Sequence, residues 1–508
     1  MGAGAAAALF ILIGKIIGAA YKIPLINVLG AEGMGDYQLI FPIYAAAIAL
    51  TSGSSSIIIS RNVAARKADP ELKDNVGNCI LYTLLLSLTA AAIMCALSKV
   101  TAQIQGRENI RYCYYIIAPS VVFVGMSSCL KGIFTGEGKV SFPAACQLFE
   151  QGIKAAVGIL LSYELKKRSL IYGVMGAVAG VSLSELFSLM ICLLIYVADK
   201  DKYRPVLNLK SGFFKENKFI TAHGIILPLS TLADGILIVK FLSMFGSENA
   251  SALYGIMTGS VNTVINMPIV IALSAAVTII PAVSYGYALN NAQRIKEKSS
   301  KCVKYVFLIT CACFFGIFIL AEDIIKILFS SLSTEEYKTA ALLMRVSSLN
   351  VITASLSGVY SSILQAVDES GICLKYTGIL CILRVAVMIP LIYRFSITGA
   401  ALSWTLYYSA SFLIGAAYHC KFLGKDIKLV KNNGKILLCG VIMSVSILPF
   451  KAVSNIYVRV SACIILGAAV YFGTALILKV FERKGIRFTS SGRVYGAAER
   501  REKWRNSK

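Results

Sequence analysis

Apolar runs of about 18 or more residues recur roughly fourteen times along the chain, near 4–28, 37–60, 76–98, 113–134, 143–163, 172–198, 219–244, 251–285, 302–321, 337–366, 371–393, 397–419, 434–450 and 457–480. Each is long enough to cross a bilayer as a helix, which keeps every backbone polar group bonded within the segment. The runs predict an all-α polytopic membrane protein of about 14 transmembrane helices. Composition agrees: of 508 residues, 57% are hydrophobic and only 15% charged, and mean hydropathy is +0.72. An ordinary soluble enzyme is excluded. The first run has no basic segment before it and leads straight into the second, so it reads as a retained span rather than a cleaved leader.

A net charge of +24 in a soluble protein would suggest nucleic acid. Here the charge is sorted instead. Alternate connections carry about 33 Lys and Arg on one side, tail included, against about 11 on the other. By the positive-inside rule both termini are cytoplasmic, the membrane is the plasma membrane, and the basic loops and tail face anionic lipid. Nucleic acid is not required. LKKRS at 165–169 runs against the trend. The fourteen cysteines form no Cys-x-x-Cys pair and fall mostly inside apolar runs, which suits small core residues. With two histidines in the chain, no metal site is expected.

The longest connections are 199–218 and the tail, neither large enough for a soluble catalytic domain. An internal duplication is visible without gaps. IFTGEGKVSFPAACQLFEQGIKAAVGILLSY, from Ile133, lies against ILQAVDESGICLKYTGILCILRVAVMIPLIY, from Ile363, at a constant offset of 230. That register pairs Lys154 with Arg384, and further on GVMGAVAGVSLSE faces SITGAALSWTLYY, with Gly176 opposite Gly399. Two parallel six-helix repeats follow: an N-terminal lobe at 1–198, a cytoplasmic connection at 199–218, a C-terminal lobe at 219–421, two additional helices within 422–480 and a basic tail at 481–508. Parallel repeats of this kind belong to transporters, with the substrate site between the halves and access that alternates.

A charged side chain at the centre of a spanning helix costs about 2.5–3.5 kcal/mol, so it faces a cavity, a partner or the interface. Six basic residues stand out: Lys15, Lys22, Lys154, Lys240, Arg345 and Arg384. The acidic ones are chiefly Glu150, Glu185 and Asp234. Lys15 and Lys22, seven residues apart, fall about 20° short of two full turns and so share a face. Lys22 and Arg345 lie toward helix ends and are equally suited to snorkelling. Glu150, one turn before Lys154, is placed to pair with it, and Lys240 is a nearby counter-charge for Asp234. The surplus of positive charge at depth points to an anionic ligand. Pro24 is expected to bend the first helix, and Asn262 and Asn266, one turn apart, offer polar groups on one face of the eighth run. GEGKVS at 136–141 lacks the leading Gly and trailing hydroxyl of a phosphate loop. Asp199 and Asp201, in alternating DKDK, read as solvated charge.

GKIIGAAYKIPLINVLGAEGMGDYQLIFPIYAAAIAL, LKGIFTGEGKVSFPAACQLFEQ and ALYGIMTGSVNTVINMPIVIALSAAVTIIPAVSYGYA are similar to stretches of the stage V sporulation protein B-like polysaccharide-biosynthesis transporters. These belong to the multidrug/oligosaccharidyl-lipid/polysaccharide exporter superfamily, which also holds the lipid II flippases. The resemblance covers most of residues 1–420. It implies a MATE-like, two-lobed transporter of fourteen helices that flips an undecaprenyl-diphosphate-linked glycan, lipid II or another polysaccharide precursor, for cell-envelope or spore-cortex synthesis. It also implies basic substrate-binding residues on the first helix. Lys15 matches the first such position and Lys22 is adjacent to the next, while Asp36 corresponds to an acidic position opening the second helix. The eighth segment carries Asn262 and Asn266 where the lipid II flippases have basic residues. Lys15, Lys22, Lys154 and Arg384 are thus expected to bind the diphosphate, with Asp36, Asn262 and Asn266 as further substrate contacts. Asp234 or Glu185 would bind a coupling cation, Na+ or H+, unless membrane potential supplies the drive. No other cofactor is implied. The competing readings are a multidrug or cation antiporter of the same superfamily, which would line its cavity with carboxylates, and a non-transporting scaffold for envelope or spore assembly. A membrane enzyme would need a nucleophile and base that two isolated histidines do not supply.

Overall fold

In a computed structural model of the chain, the described residues are 3–480 without 54, 69–74, 200–202, 204, 206–212, 248, 278–279, 290, 368 and 424–426. The tail 481–508 and most of the 199–218 connection therefore lie outside them. Helices α1 (Ala3–Ala20), α2 (Lys22–Thr51), α3 (Ser55–Ala68), α4 (Val76–Ala96), α5 (Ser98–Ile104), α6 (Arg111–Gly136), α7 (Ser141–Lys166) and α8 (Leu170–Ala198) make up the first half. The second contains α9 (Phe213–Met244), α10 (Ala250–Gly255), α11 (Asn262–Val277), α12 (Ile280–Ala288), α13 (Ala292–Leu328), α14 (Thr334–Ala366), α15 (Ser370–Phe395) and α16 (Ile397–Leu423). Two more, α17 (Ile427–Ile447) and α18 (Ile456–Ile477), pack on each other and on α13. No strand occurs among the described residues.

Eleven helical stretches among the described residues are long and apolar enough to cross a membrane. The first, Leu9–Ala65, takes in both of the first two expected runs, whereas α9 and α16, which cover the expected runs 219–244 and 397–419, are not among the eleven. The fold is an all-helical, two-lobed bundle of the transporter kind.

Local chemistry accounts for the main interruptions. Pro24 has no N–H to offer the carbonyl of residue 20, and the helix breaks between α1 and α2 at Tyr21. Within α2, Gly30 turns the chain with φ 75° and ψ 179°, a backbone state that only glycine adopts cheaply. The first half of α2 thus finishes one crossing and the second begins the next. Ser333 and Glu336 form a reciprocal capping box at the start of α14.

The duplication read from sequence recurs in packing. Gly176 of α8 backs onto Leu161 of α7, where an added Cβ would stand 2.6 Å from the carbonyl oxygen. Gly399 of α16 backs in the same way onto the carbonyl of Leu391 on α15, and Leu161 and Leu391 are themselves 230 residues apart. Each half therefore closes its fifth and sixth spans through the same glycine-on-carbonyl contact, which lets the two backbones approach.

Helix α2 lies at the seam. Leu25, Ile26, Met34, Tyr37, Leu39 and Ile40 are fully buried. It packs on α6 and α8 of its own half and on α9 and α10 of the other. Gly35 meets the backbone of Ser251, and Gly255 meets the carbonyl of Ala31, each so closely that neither position has room for a Cβ.

Candidate functional site

The charged residues of the first half converge on one cluster. Lys131 of α6 bonds Glu150 of α7 at 3.2 Å, and Glu150 also accepts from Ser188 Oγ at 3.2 Å and Gln151 Nε2 at 3.0 Å. Lys154, one turn on, holds its ammonium 5.1 Å from the centre of the Tyr21 ring. It lies within electrostatic reach of Glu150 and Glu185 and of Lys22. Tyr21 and Tyr37 join hydroxyls behind it. Three ammonium groups, Lys22, Lys131 and Lys154, thus stand against two carboxylates, Glu150 and Glu185, and leave a positive surplus at the break between α1 and α2. Sequence spacing pairs Glu150 with Lys154; in the structure its ion pair is with Lys131, a lysine inside the expected run 113–134 that should have been counted.

The second half handles its buried cation differently. Arg384 of α15, with a fully buried side chain, donates to Asp234 Oδ1 of α9 at 2.6 Å. It also donates to Ser230 Oγ at 2.6 Å and to the Ser230 carbonyl at 3.0 Å, while its guanidinium lies 4.0 Å from the centre of the Trp404 ring. The expected counter-charge for Asp234, Lys240, is exposed instead. In both halves, then, the basic residue of the fifth span is met by the first span of that half: Lys154 by Tyr21, Arg384 by Asp234. A guanidinium with a bonded carboxylate is already satisfied, whereas an ammonium over an aromatic face keeps its charge for a further partner.

Beside Arg384 opens a cavity of about 220 Å³. Asp234, Asn262, Asn266, Asn350, Trp404 and Tyr408 line it, and Pro42 of α2 closes one side from the other half. The asparagines on α11 follow a π-helical turn, Ile256–Val261, a feature that often marks functional sites.

At the end of the bundle opposite the amino terminus the halves are fastened. Asp36, 3% exposed, accepts from Arg107 Nε and Nη2, each at 2.7 Å, and from Ser251 Oγ of α10 at 2.9 Å. Glu32 adds a second carboxylate 2.6 Å from Arg107. Asn27 donates to the carbonyl of Leu328 at 2.9 Å, Ser331 to that of Ile26 at 3.0 Å, and Gln38 to that of Thr258 at 3.4 Å. An open hollow of about 430 Å³ lies over Glu32, Asp36 and Arg107.

The expected site residues thus separate into four places. Lys22, Lys154 and Glu185 join the first-half cluster; Arg384 and Asp234 form an ion pair; Asn262 and Asn266 line the second-half cavity; and Asp36 belongs to the fastening, its carboxylate taken up by Arg107 and Ser251. Lys15 is exposed and has no hydrogen-bond or ion-pair partner among the described residues. Arg345 is exposed too. Beyond Lys131, sequence reasoning missed Arg107, which sits in a short polar connection with nothing local to distinguish it.

The family model described as polysaccharide biosynthesis protein matches residues 4–287. Stage V sporulation protein B of Bacillus subtilis (strain 168) is 22% identical over 502 residues, with 94% of this chain and 95% of that protein covered. Lipid II flippase MurJ of the same organism is 22% identical over 508 residues, with 93% of each covered. A solved structure of lipid II flippase MurJ in an inward closed conformation superposes with a TM-score of 0.70 at 15% identity, covering 94% of this chain and 98% of that one. That likeness shares the two-lobed helical fold and the seam at α2. With the family match extending over more than half its length, the chain belongs to the polysaccharide biosynthesis protein family of multi-pass membrane proteins.

Proposed function

We propose that this protein is a flippase that carries a polyprenyl-diphosphate-linked glycan across the plasma membrane by alternating access, with both termini cytoplasmic. The observation that carries the reading is the pair Lys22 and Lys154. Two ammonium groups from different spans lie within reach of each other's charge, and neither is hydrogen-bonded to a carboxylate. Like charges held together at depth are costly unless an anion joins them. A diphosphate brings two negative groups of suitable spacing, and lysine is a good point-charge partner for phosphate. Lys15, exposed on the same span, is placed to meet the anion on its way in. The names of the two relatives, a stage V sporulation protein and a lipid II flippase, fit a cargo of this class.

The fastening at Asp36 fixes the direction of access. With cytoplasmic termini, the closed end is the outer one, so cargo loads from the inner leaflet. Rocking of the halves about α2 would release Asp36 from Ser251 and open the outer end. Asp234 already has the charge of Arg384 beside it, which leaves Glu185 as the carboxylate suited to a coupling cation.

Complementation of a depleted strain tests the reading, with mass spectrometry of prenyl-linked glycans on the inner leaflet. Lys22→Ala with Lys154→Ala should accumulate cargo as the depleted strain does, and Lys22→Arg with Lys154→Arg should restore part of the flux. Full translocation by the alanine pair at normal membrane levels would remove the diphosphate assignment.

A further inference from the structure

We infer that the cavity beside Asp234 and Arg384 is a subsite for one neutral sugar ring of the glycan, so that cargo is held at two points, its phosphates by the first half and a sugar by the second. The inference rests on the flippase reading for the presence of a glycan and adds where, and by which groups, that glycan is recognised.

Three properties of the cavity carry it. The first is polar capacity without a protein partner. Asn350 is buried, lines the cavity and leaves its Oδ1 atom without a hydrogen bond. The amides of Asn262 and Asn266 have no partner among the described residues either. Each amide offers an acceptor and two donors, and a buried group left unpaired costs about 1–3 kcal/mol, so these groups are arranged for something that both donates and accepts. Sugar hydroxyls do both.

The second property is charge balance. Arg384 and Asp234 neutralise each other at the edge of the cavity, so it has no net attraction for an anion or a cation. The carboxylate still accepts hydrogen bonds on its free lone pairs, as a sugar hydroxyl requires. A phosphate, by contrast, finds its unpaired cations in the other half.

The third is size and wall. At about 220 Å³ the space falls below the roughly 300–1,000 Å³ of drug-sized ligand sites, and it holds about seven waters. That suits a single ring. Trp404 and Tyr408 stack with centroids 5.4 Å apart and present an aromatic wall to the apolar side of such a ring. Asn266 is exposed and marks the mouth.

The chain's two tryptophans make the subsite measurable, because only Trp404 remains after Trp504→Phe. The experiment uses that full-length variant in nanodiscs free of glycoside detergent. Glucose, galactose, N-acetylglucosamine and N-acetylgalactosamine are titrated against Trp404 fluorescence. At least one neutral sugar should change the emission saturably, with affinity weakened about 3- to 10-fold in Asn350→Ala and in Asn266→Ala, the loss of one hydrogen bond each. Asn266 is exposed, so its variant keeps the test interpretable if Asn350→Ala folds poorly. Inorganic pyrophosphate binding, followed by calorimetry, should be lost in Lys22→Ala with Lys154→Ala and kept in both asparagine variants. Saturable pyrophosphate binding with no response to any of the sugars overturns the sugar subsite and leaves the flippase reading standing. A sugar response without lysine-dependent pyrophosphate binding overturns the diphosphate assignment and leaves the subsite. A sugar response unaltered in both asparagine variants also overturns the subsite.

Discussion

Arg107 grips Asp36 with two parallel hydrogen bonds of 2.7 Å, joining a short connection between α5 and α6 to the helix at the seam between the halves. Since Asp36 also accepts from Ser251 in the second half, the arginine sets the carboxylate that holds the halves together at this end. Removing it leaves a buried carboxylate with one neutral donor.

Arg107→Ala should therefore loosen the closed end. Arg107 is about one-third exposed, so the cost is discounted to about 1–3 kcal/mol rather than that of a fully buried pair. Arg107→Lys should recover only part of it, because an ammonium lacks the two-pronged fit. Spin-label distances across the Ser251 end should show a larger open population in the alanine variant. An unchanged distance distribution would show that the ion pair does not hold the gate.

Gly35→Ala attacks the same end by shape rather than charge. Its Cβ would run into the backbone of Ser251, so α2 and α10 would have to separate. Overpacking of this kind costs about 1–3 kcal/mol. Labelling of a cysteine placed at Ser251 should speed up in the variant, and cargo flux should fall because the closed state is disfavoured.

Arg384→Ala should act mainly on stability. It strands Asp234 in a buried site, at a cost of about 3–5 kcal/mol. Arg384→Met combined with Asp234→Leu should regain most of the unfolding midpoint measured in nanodiscs. If the single variant unfolds normally but fails to transport, Arg384 contacts cargo and the division of labour proposed between the halves is wrong.

Lys22→Ala and Lys154→Ala should do the opposite. Each relieves a like-charge neighbour, so thermal stability should stay the same or rise while flux is lost. A large drop in melting temperature for either would mark it as structural.

These contrasts show what was legible in the sequence. The spans were, because a run of apolar side chains is a local property and each of the expected runs is helical. Lys154 and Arg384 were recognised as equivalents because a gapless offset preserves register. What each basic residue touches was not legible. Asp234 and Arg384 are 150 residues apart, Asp36 and Arg107 71, and no periodicity within a helix records which distant span lies opposite. The nearest charge in sequence was the wrong partner twice, for Glu150 and for Asp234. Both are drawn instead to cations on other helices, where direct contact is geometrically better than along a single helix.

The π-helical turn at Ile256–Val261 makes the eighth span sensitive to length in a way its composition hides. It carries one residue more than an α-helical turn, so removing that residue would rotate everything after it by about 100° and draw it in by about 1.5 Å. Asn262 and Asn266 would swing off the cavity wall although no side chain had been altered. A single-codon deletion there should thus separate cargo recognition from folding more cleanly than any point substitution in the span.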